Sequence, residues 1–123
     1  MTPTKPEEHL PNYIRIQRRR SGLSQRELSA LLGFRIESLA RHELFHTLPS
    51  LDMAIGYEVV FRVPVSELFA GLREEIATDI EAKLALFEAE LGKRSAKGRN
   101  ANEIARKLLW LSERENSNRQ SVP

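Results

Sequence analysis

The chain of 123 residues contains no cysteine, which excludes disulfide bonds, cysteine-ligated zinc and thiol catalysis. No apolar run approaches the ~20 residues that a membrane-spanning helix needs, so we expect no membrane segment. A reducing cytoplasm is the expected location, which the lack of cysteine permits. The charges are almost balanced, with 19 basic and 17 acidic residues and a net charge of +2. Overall charge is therefore weak evidence for a polyanionic partner, and the distribution of charge matters more.

Motifs that carry chemistry are absent as well. The sequence has no Gly-rich phosphate loop, no HExxH pair and no Ser–His–Asp order. His42 and His46 are four residues apart, a spacing that suits a metal on a helix, but no cysteine or carboxylate set completes a site. We interpret His42 as a residue at the edge of the core and His46 as a loop residue. We predict no enzyme, no metal and no cofactor.

The most informative segment that is present runs from Gly22 to Gly33. Ser24 is a favourable N-cap, and Glu27 follows three residues later, which is the pattern of a capping box. Leucines at helical spacing predict one buried face, formed by Leu28, Leu31 and Leu32. Gly33 suits the left-handed residue that ends a helix. A second short helix follows at once, so the segment predicts a helix-turn-helix, an arrangement that docks in the major groove of DNA.

The surrounding pattern predicts an all-α chain. A β-like run at 59–63 is short and is closed by Pro64, so we assign it to the end of a helix. Five short helices are predicted, over Tyr13–Arg20, Gln25–Leu32, Ile36–Leu44, Leu51–Phe61 and Val65–Phe69. Ser50 is the predicted N-cap of the fourth helix, and Gly56 inside it costs about 1 kcal/mol relative to alanine. Residues 1–11 have no apolar stretch, so we expect a flexible arm there rather than a signal or transit peptide.

After Gly71 the pattern changes to a long helix. Its apolar stripe has spacings of three and four, and consists of Leu72, Ile76, Ile80, Leu84, Phe87 and Leu91. Gly92 is predicted to end this helix, and Lys93–Arg99 to form a basic linker. A last helix is predicted after Asn100, with an apolar face at Ile104, Ala105, Leu108, Leu109 and Leu111. We thus predict a helix-turn-helix domain over 12–71, a helical extension over 72–115 and a polar tail over 116–123.

Residues 14–69 resemble the Cro/repressor-type helix-turn-helix domain of bacterial and phage regulators. The resemblance is carried by Ile14, Arg18, Gly22-Leu23-Ser24-Gln25, Glu27-Leu28, Leu32-Gly33, Leu39, Arg41, Glu43, Pro49-Ser50-Leu51, Phe61, Val63 and Ser66-Glu67-Leu68-Phe69. The family prefers apolar residues at the positions of Gln17 and His42, and alanine at that of Ser29. It commonly has glycine where Phe45 stands and a small apolar residue where Glu58 stands. The resemblance implies a five-helix domain that binds double-stranded DNA.

The resemblance also implies that bases are read by three residues of the third helix, namely Ile36, Glu37 and Arg41. With Leu39 directed into the core, helical geometry points Glu37 and Arg41 outward. An arginine suits guanine, a carboxylate accepts from cytosine, and an aliphatic side chain packs on a thymine methyl. Glu37 and Arg41 are also four apart in the order that favours a surface ion pair, and this alternative stays open.

Contacts to DNA phosphates are implied for Gln25, which begins the second helix where free amides suit an anion. Further candidates for the DNA backbone are Arg19, Arg35, Ser38, His46 and Thr47. In the resembled family, the positions of Arg18 and Glu43 form a partly buried ion pair, so these two residues are assigned to structure.

We therefore expect a sequence-specific transcriptional regulator, a repressor that acts as a homodimer because one such domain reads only a short site. The helix Leu72–Leu91 is the predicted dimer contact, unless its stripe packs on its own chain. The C-terminal helix with Trp110 is a second candidate surface, for a protein partner. The competing hypothesis is an antitoxin or protein-interaction module whose helix-turn-helix is partly degenerate.

Overall fold

In the computed structural model of the chain, residues 10–94 and 100–120 are described, with side chains up to residue 117. Every regular element in these ranges is a helix, which confirms the all-α prediction. The helices are α1 (Ile14–Arg20), α2 (Gln25–Leu32), α3 (Ile36–Glu43), α4 (Leu51–Phe61), α5 (Val65–Leu68), α6 (Ala70–Lys93) and α7 (Ala101–Gln120). Most of the predicted arm, residues 95–99 of the predicted linker and residues 121–123 of the tail lie outside the described residues.

The chain divides into two compact units after Ala77, inside α6. The core of the first unit takes one fully buried side chain from each of α1 to α5, namely Ile14, Leu28, Leu39, Tyr57 and Leu68. The predicted face of α2 is wrong at Leu31, which is 65% exposed. Ser29 occupies the buried position on this face instead. Its burial is tolerated because its hydroxyl donates a hydrogen bond to the carbonyl of Arg26 at 3.0 Å.

The turn signals around α2 are confirmed. The Ser24 hydroxyl accepts from the amide of Glu27 at 3.0 Å, and the Glu27 carboxylate accepts from the amide of Ser24 at 2.9 Å. Gly33 has φ +77°, the left-handed conformation that glycine adopts without strain. Ser50 occupies the N-cap position of α4 as predicted, but its hydroxyl donates to Asp52 instead of capping a backbone amide.

Residues that depart from the resembled pattern have structural roles. The carboxylate of Glu58 accepts from the amide of Val65 at 2.7 Å, where α5 begins. A Cβ at Gly56 would lie 3.0 Å from Cδ2 of Leu32, so glycine permits the close approach of α2 and α4. Phe45 has φ +59°, which explains why a glycine would suit this position after α3.

His42 lies within the core rather than at its edge, with 4% of its surface exposed. Its Nδ1 atom is 2.8 Å from the hydroxyl oxygen of Tyr57. The rings of His42, Tyr57 and Phe34 pack edge to face in pairs, with centroids 5.6 to 5.9 Å apart. Burial lowers the pKa of His42 and raises that of Tyr57, so a neutral imidazole meets a protonated hydroxyl.

The second unit contains a small core between the end of α6 and α7. Its buried side chains are Leu91, Ile104 and Leu111, with Leu84 and Leu108 packed against them. The predicted apolar face of α7 is therefore correct at Ile104, Leu108 and Leu111, which follow one another at spacings of four and three. It is wrong at Ala105 and Leu109, which are exposed. Because Leu91 is buried, the last turn of α6 is anchored and the helix continues through Gly92. The helix α7 continues to Gln120, beyond the predicted end.

Both ends of the α6 stripe are covered within the chain. Leu72 packs against the first core, and Leu84 and Leu91 belong to the second. The members that stay exposed are Ile76, Ile80 and Phe87, so a dimer contact along α6 would have less apolar surface than the sequence indicated. Within the described ranges, none of the helices combines the length and apolar character that crossing a membrane requires.

The burial of His42 predicts a pH-dependent stability. Because its pKa is lower in the folded chain than the unfolded value of about 6.5, the unfolded chain takes up a proton first. The stability contributed by neutral His42 is complete above that value and is lost as the pH falls toward the folded-state pKa. We expect His42→Gln to reduce the loss of unfolding free energy between pH 7 and pH 5, measured by urea denaturation. The control His46→Gln alters an exposed histidine and should keep the wild-type pH dependence; equal slopes for both variants would contradict the prediction.

Candidate nucleic-acid interface

The helix α3 presents two different sides. Leu39 and His42 are buried on its inner side, and Glu37 and Arg41 are exposed on its outer side, as helical geometry predicted. Ile36 is half-buried at the start of the helix. The outer side is therefore a short polar surface that offers one carboxylate and one guanidinium.

The ion pair between Glu37 and Arg41, which the sequence left open as an alternative, is not formed. The carboxylate of Glu37 lies 3.6 Å from the guanidinium of Arg35, the residue that precedes α3, and both side chains are largely exposed. Among the described residues, the side chain of Arg41 has no hydrogen bond or ion pair. Arg41 is thus available for a bidentate contact, and Arg35 partly neutralises the charge of Glu37.

The predicted ion pair between Arg18 and Glu43 is present and is bidentate. Nε of Arg18 donates to one carboxylate oxygen at 2.6 Å, and Nη2 donates to the other at 3.1 Å. A third bond joins Nη1 to the carbonyl of Leu23 at 3.0 Å. The side chain of Glu43 is 3% exposed and that of Arg18 is 12% exposed, and the carboxylate raises the pKa of Arg18. The pair fixes α1 against the end of α3.

Gln25 joins this ion pair. Its amide nitrogen donates to the Glu43 carboxylate at 3.1 Å, and the residue is half-buried at the start of α2. The sequence assigned Gln25 to a DNA phosphate, but in the structure its amide nitrogen is used to hold α2 against α3. The three helices α1, α2 and α3 therefore meet at one carboxylate.

Sequence reasoning missed Asn12. Its amide nitrogen donates to the carbonyl of His42 at 2.8 Å, and its oxygen accepts from the amide of Ile14 at 3.2 Å. One side chain thus binds the first backbone amide of α1 and the backbone of α3. The available signal was an asparagine just before a predicted helix, a residue type favoured near helix starts.

The remaining candidates lie at the two ends of α3 and on α1. Arg35 and the half-buried Ser38 lie at its first turn, and His46 and Thr47 are exposed in the loop that follows it. That loop is held by a bond from the amide of His46 to the carbonyl of Arg41 at 2.9 Å. Arg19 is exposed on α1, as are the basic residues Arg15 and Arg20.

Metal ligands and similarity to known proteins give no further assignment for the described residues. Across the described part of the chain, no three histidine, aspartate or glutamate side chains are grouped so that they could hold a metal ion. No family model, curated protein or solved structure matches the chain.

The contrast between the two ion pairs yields a stability prediction. Glu43→Gln removes a buried charge and leaves the Arg18 guanidinium without its counterion, so we expect a loss of about 3 kcal/mol in unfolding free energy. Glu37→Gln is the matched control, because its pair with Arg35 is exposed and worth less than about 1 kcal/mol. Urea denaturation at neutral pH measures both, and equal losses would show that the Arg18–Glu43 pair does not organise the unit.

Proposed function

We propose that the chain is a sequence-specific double-stranded DNA-binding regulator in which α3 enters the major groove. The observation that carries the proposal is the outer side of α3, where exposed Glu37 and Arg41 project from a helix fixed on its inner side. With eight residues, α3 is about 12 Å long. The major groove of DNA is wide enough to admit an α-helix.

Each side chain has a chemical role in this proposal. Arg41 donates two hydrogen bonds to guanine O6 and N7, Glu37 accepts from cytosine N4, and Ile36 contacts a thymine methyl. The backbone candidates hold phosphates and set the register, namely Arg19, Gln25, Arg35, Ser38, His46 and Thr47. Gln25 would contribute from the position that its bond to Glu43 fixes.

The direction of regulation and the location complete the proposal. Repression requires only that the site on DNA be occupied. We propose a cytoplasmic repressor that acts as a homodimer on two half-sites.

A salt titration of DNA binding tests the mechanism. Phosphate contacts release counterions, so the logarithm of the binding constant should fall linearly with the logarithm of the salt concentration. Fluorescence anisotropy with a labelled duplex measures this slope. Binding that is independent of salt would contradict the proposal.

Arg41→Ala tests base reading. A bidentate contact is worth about 1–3 kcal/mol, so the variant should lose preference at one base pair and keep its preferences elsewhere. Arg106→Ala is the matched control, since Arg106 is an exposed arginine on α7, in the second unit. Competition assays with single-base variants of the site measure both. A uniform loss over all sequences would assign Arg41 to the DNA backbone instead.

One observation favours a second candidate function, the binding of a protein partner by α7. Leu109 and Trp110 are exposed on this helix, and Arg106 and Lys107 lie beside Trp110. An antitoxin would combine such a surface with the DNA-binding unit. Co-purification of a second chain that is lost in Trp110→Ala but retained in Arg41→Ala distinguishes this function from DNA binding.

A further inference from the structure

The helix α4 is apolar on both its inner and outer sides. Ala54 and Tyr57 are buried on the inner side. On the outer side Leu51, Ile55 and Val59 are 74%, 45% and 69% exposed. Their spacing of four residues places them in one row, which we call the outer stripe of α4. A helix that is apolar around its circumference is normally covered on both sides, so the outer stripe indicates a contact surface.

The charges near the outer stripe indicate what covers it. Asp52 lies in the first turn of α4 and Arg62 directly follows its last turn, and both are exposed. If two copies of α4 cross antiparallel at Ile55, the Leu51 of each faces the Val59 of the other. The same crossing brings Asp52 of one copy within a turn of Arg62 of the other. The stripe is thus complementary to itself in both apolar contact and charge, as a two-fold contact requires.

The position of the stripe agrees with this occupant. None of the candidate DNA contacts lies on α4, so a contact there leaves the outer side of α3 exposed. Leu44 and Phe45, which are also exposed, directly follow α3, where a contact would compete with DNA.

We propose that a second copy of this chain docks on the outer stripe of α4 to form an antiparallel, two-fold symmetric dimer. The role of this dimer in presenting two α3 helices to DNA rests on the proposed function, but its existence does not. Oligomeric state is measured without DNA, so failure of the dimer and failure of DNA binding are observed separately.

Sedimentation equilibrium of the full chain over a concentration series tests the proposal. Val59→Asp should raise the dimer dissociation constant at least about tenfold, because it places a charge in an apolar contact twice. Leu86→Asp is the matched control, since Leu86 is similarly exposed but lies on α6, in the second unit, and its substitution should leave the constant unchanged. Thermal melting of both variants verifies that they fold.

A charge exchange provides a second test that does not depend on removing apolar surface. Asp52→Arg and Arg62→Asp should each weaken the dimer about tenfold, and the double variant should restore it. Asp52 also accepts from the amide of Met53, so a local loss of stability accompanies Asp52→Arg. The double variant retains that local loss of stability. Its dimer affinity should nevertheless recover if the two residues lie close together across the dimer.

Three results would overturn the proposal. The first is a wild-type chain that is monomeric at every concentration. The second is a dimer that Val59→Asp does not weaken. The third is a dimer that Phe87→Asp abolishes while Val59→Asp does not, which would place the contact on α6 instead.

Discussion

The carboxylate of Glu43 is the point on which the arrangement of the first three helices depends. It lies at the end of α3 and accepts hydrogen bonds from Arg18 of α1 and Gln25 of α2. A carboxylate that is nearly removed from water is costly unless all its partners are in place, so few orientations of α3 satisfy it. The bond from Asn12 to the carbonyl of His42 fixes the same turn from another side. The outward direction of Arg41 follows from these contacts.

The helix α4 completes the core of the unit. Its Tyr57 meets His42 of α3, and its Gly56 admits Leu32 of α2 at close range. The inner side of α4 thus closes the core, whereas its outer stripe is left in water. If the proposed dimer forms on this outer stripe, the same helix takes part in both the core and the dimer contact, so folding of the unit and its association are linked.

Local signals predicted the helices well, and contacts between helices were harder to predict. The bounds of α2 were correct because its capping box and Gly33 act within a few residues of sequence. The bounds of α4 were correct as well, although Ser50 caps no backbone amide there. The burial of Leu31 was predicted wrongly because the choice between Leu31 and Ser29 depends on where α4 and the core lie. Gln25 was assigned to DNA from the resemblance and from its position at the start of α2. Its bond to Glu43 was not predicted, because no local pattern reveals a contact between residues 18 apart in sequence and 3.1 Å apart in space.

Selection of bound duplexes from a random-sequence pool is the decisive test of sequence-specific binding through α3. We expect the purified chain to enrich one motif that contains a guanine, and we expect the enrichment of this guanine to disappear in the selection with Arg41→Ala. A two-fold symmetric motif would further agree with two copies of α3 on one site. A pool that remains random after repeated rounds, at a salt concentration where the chain retains nucleic acid, would contradict sequence-specific binding through α3.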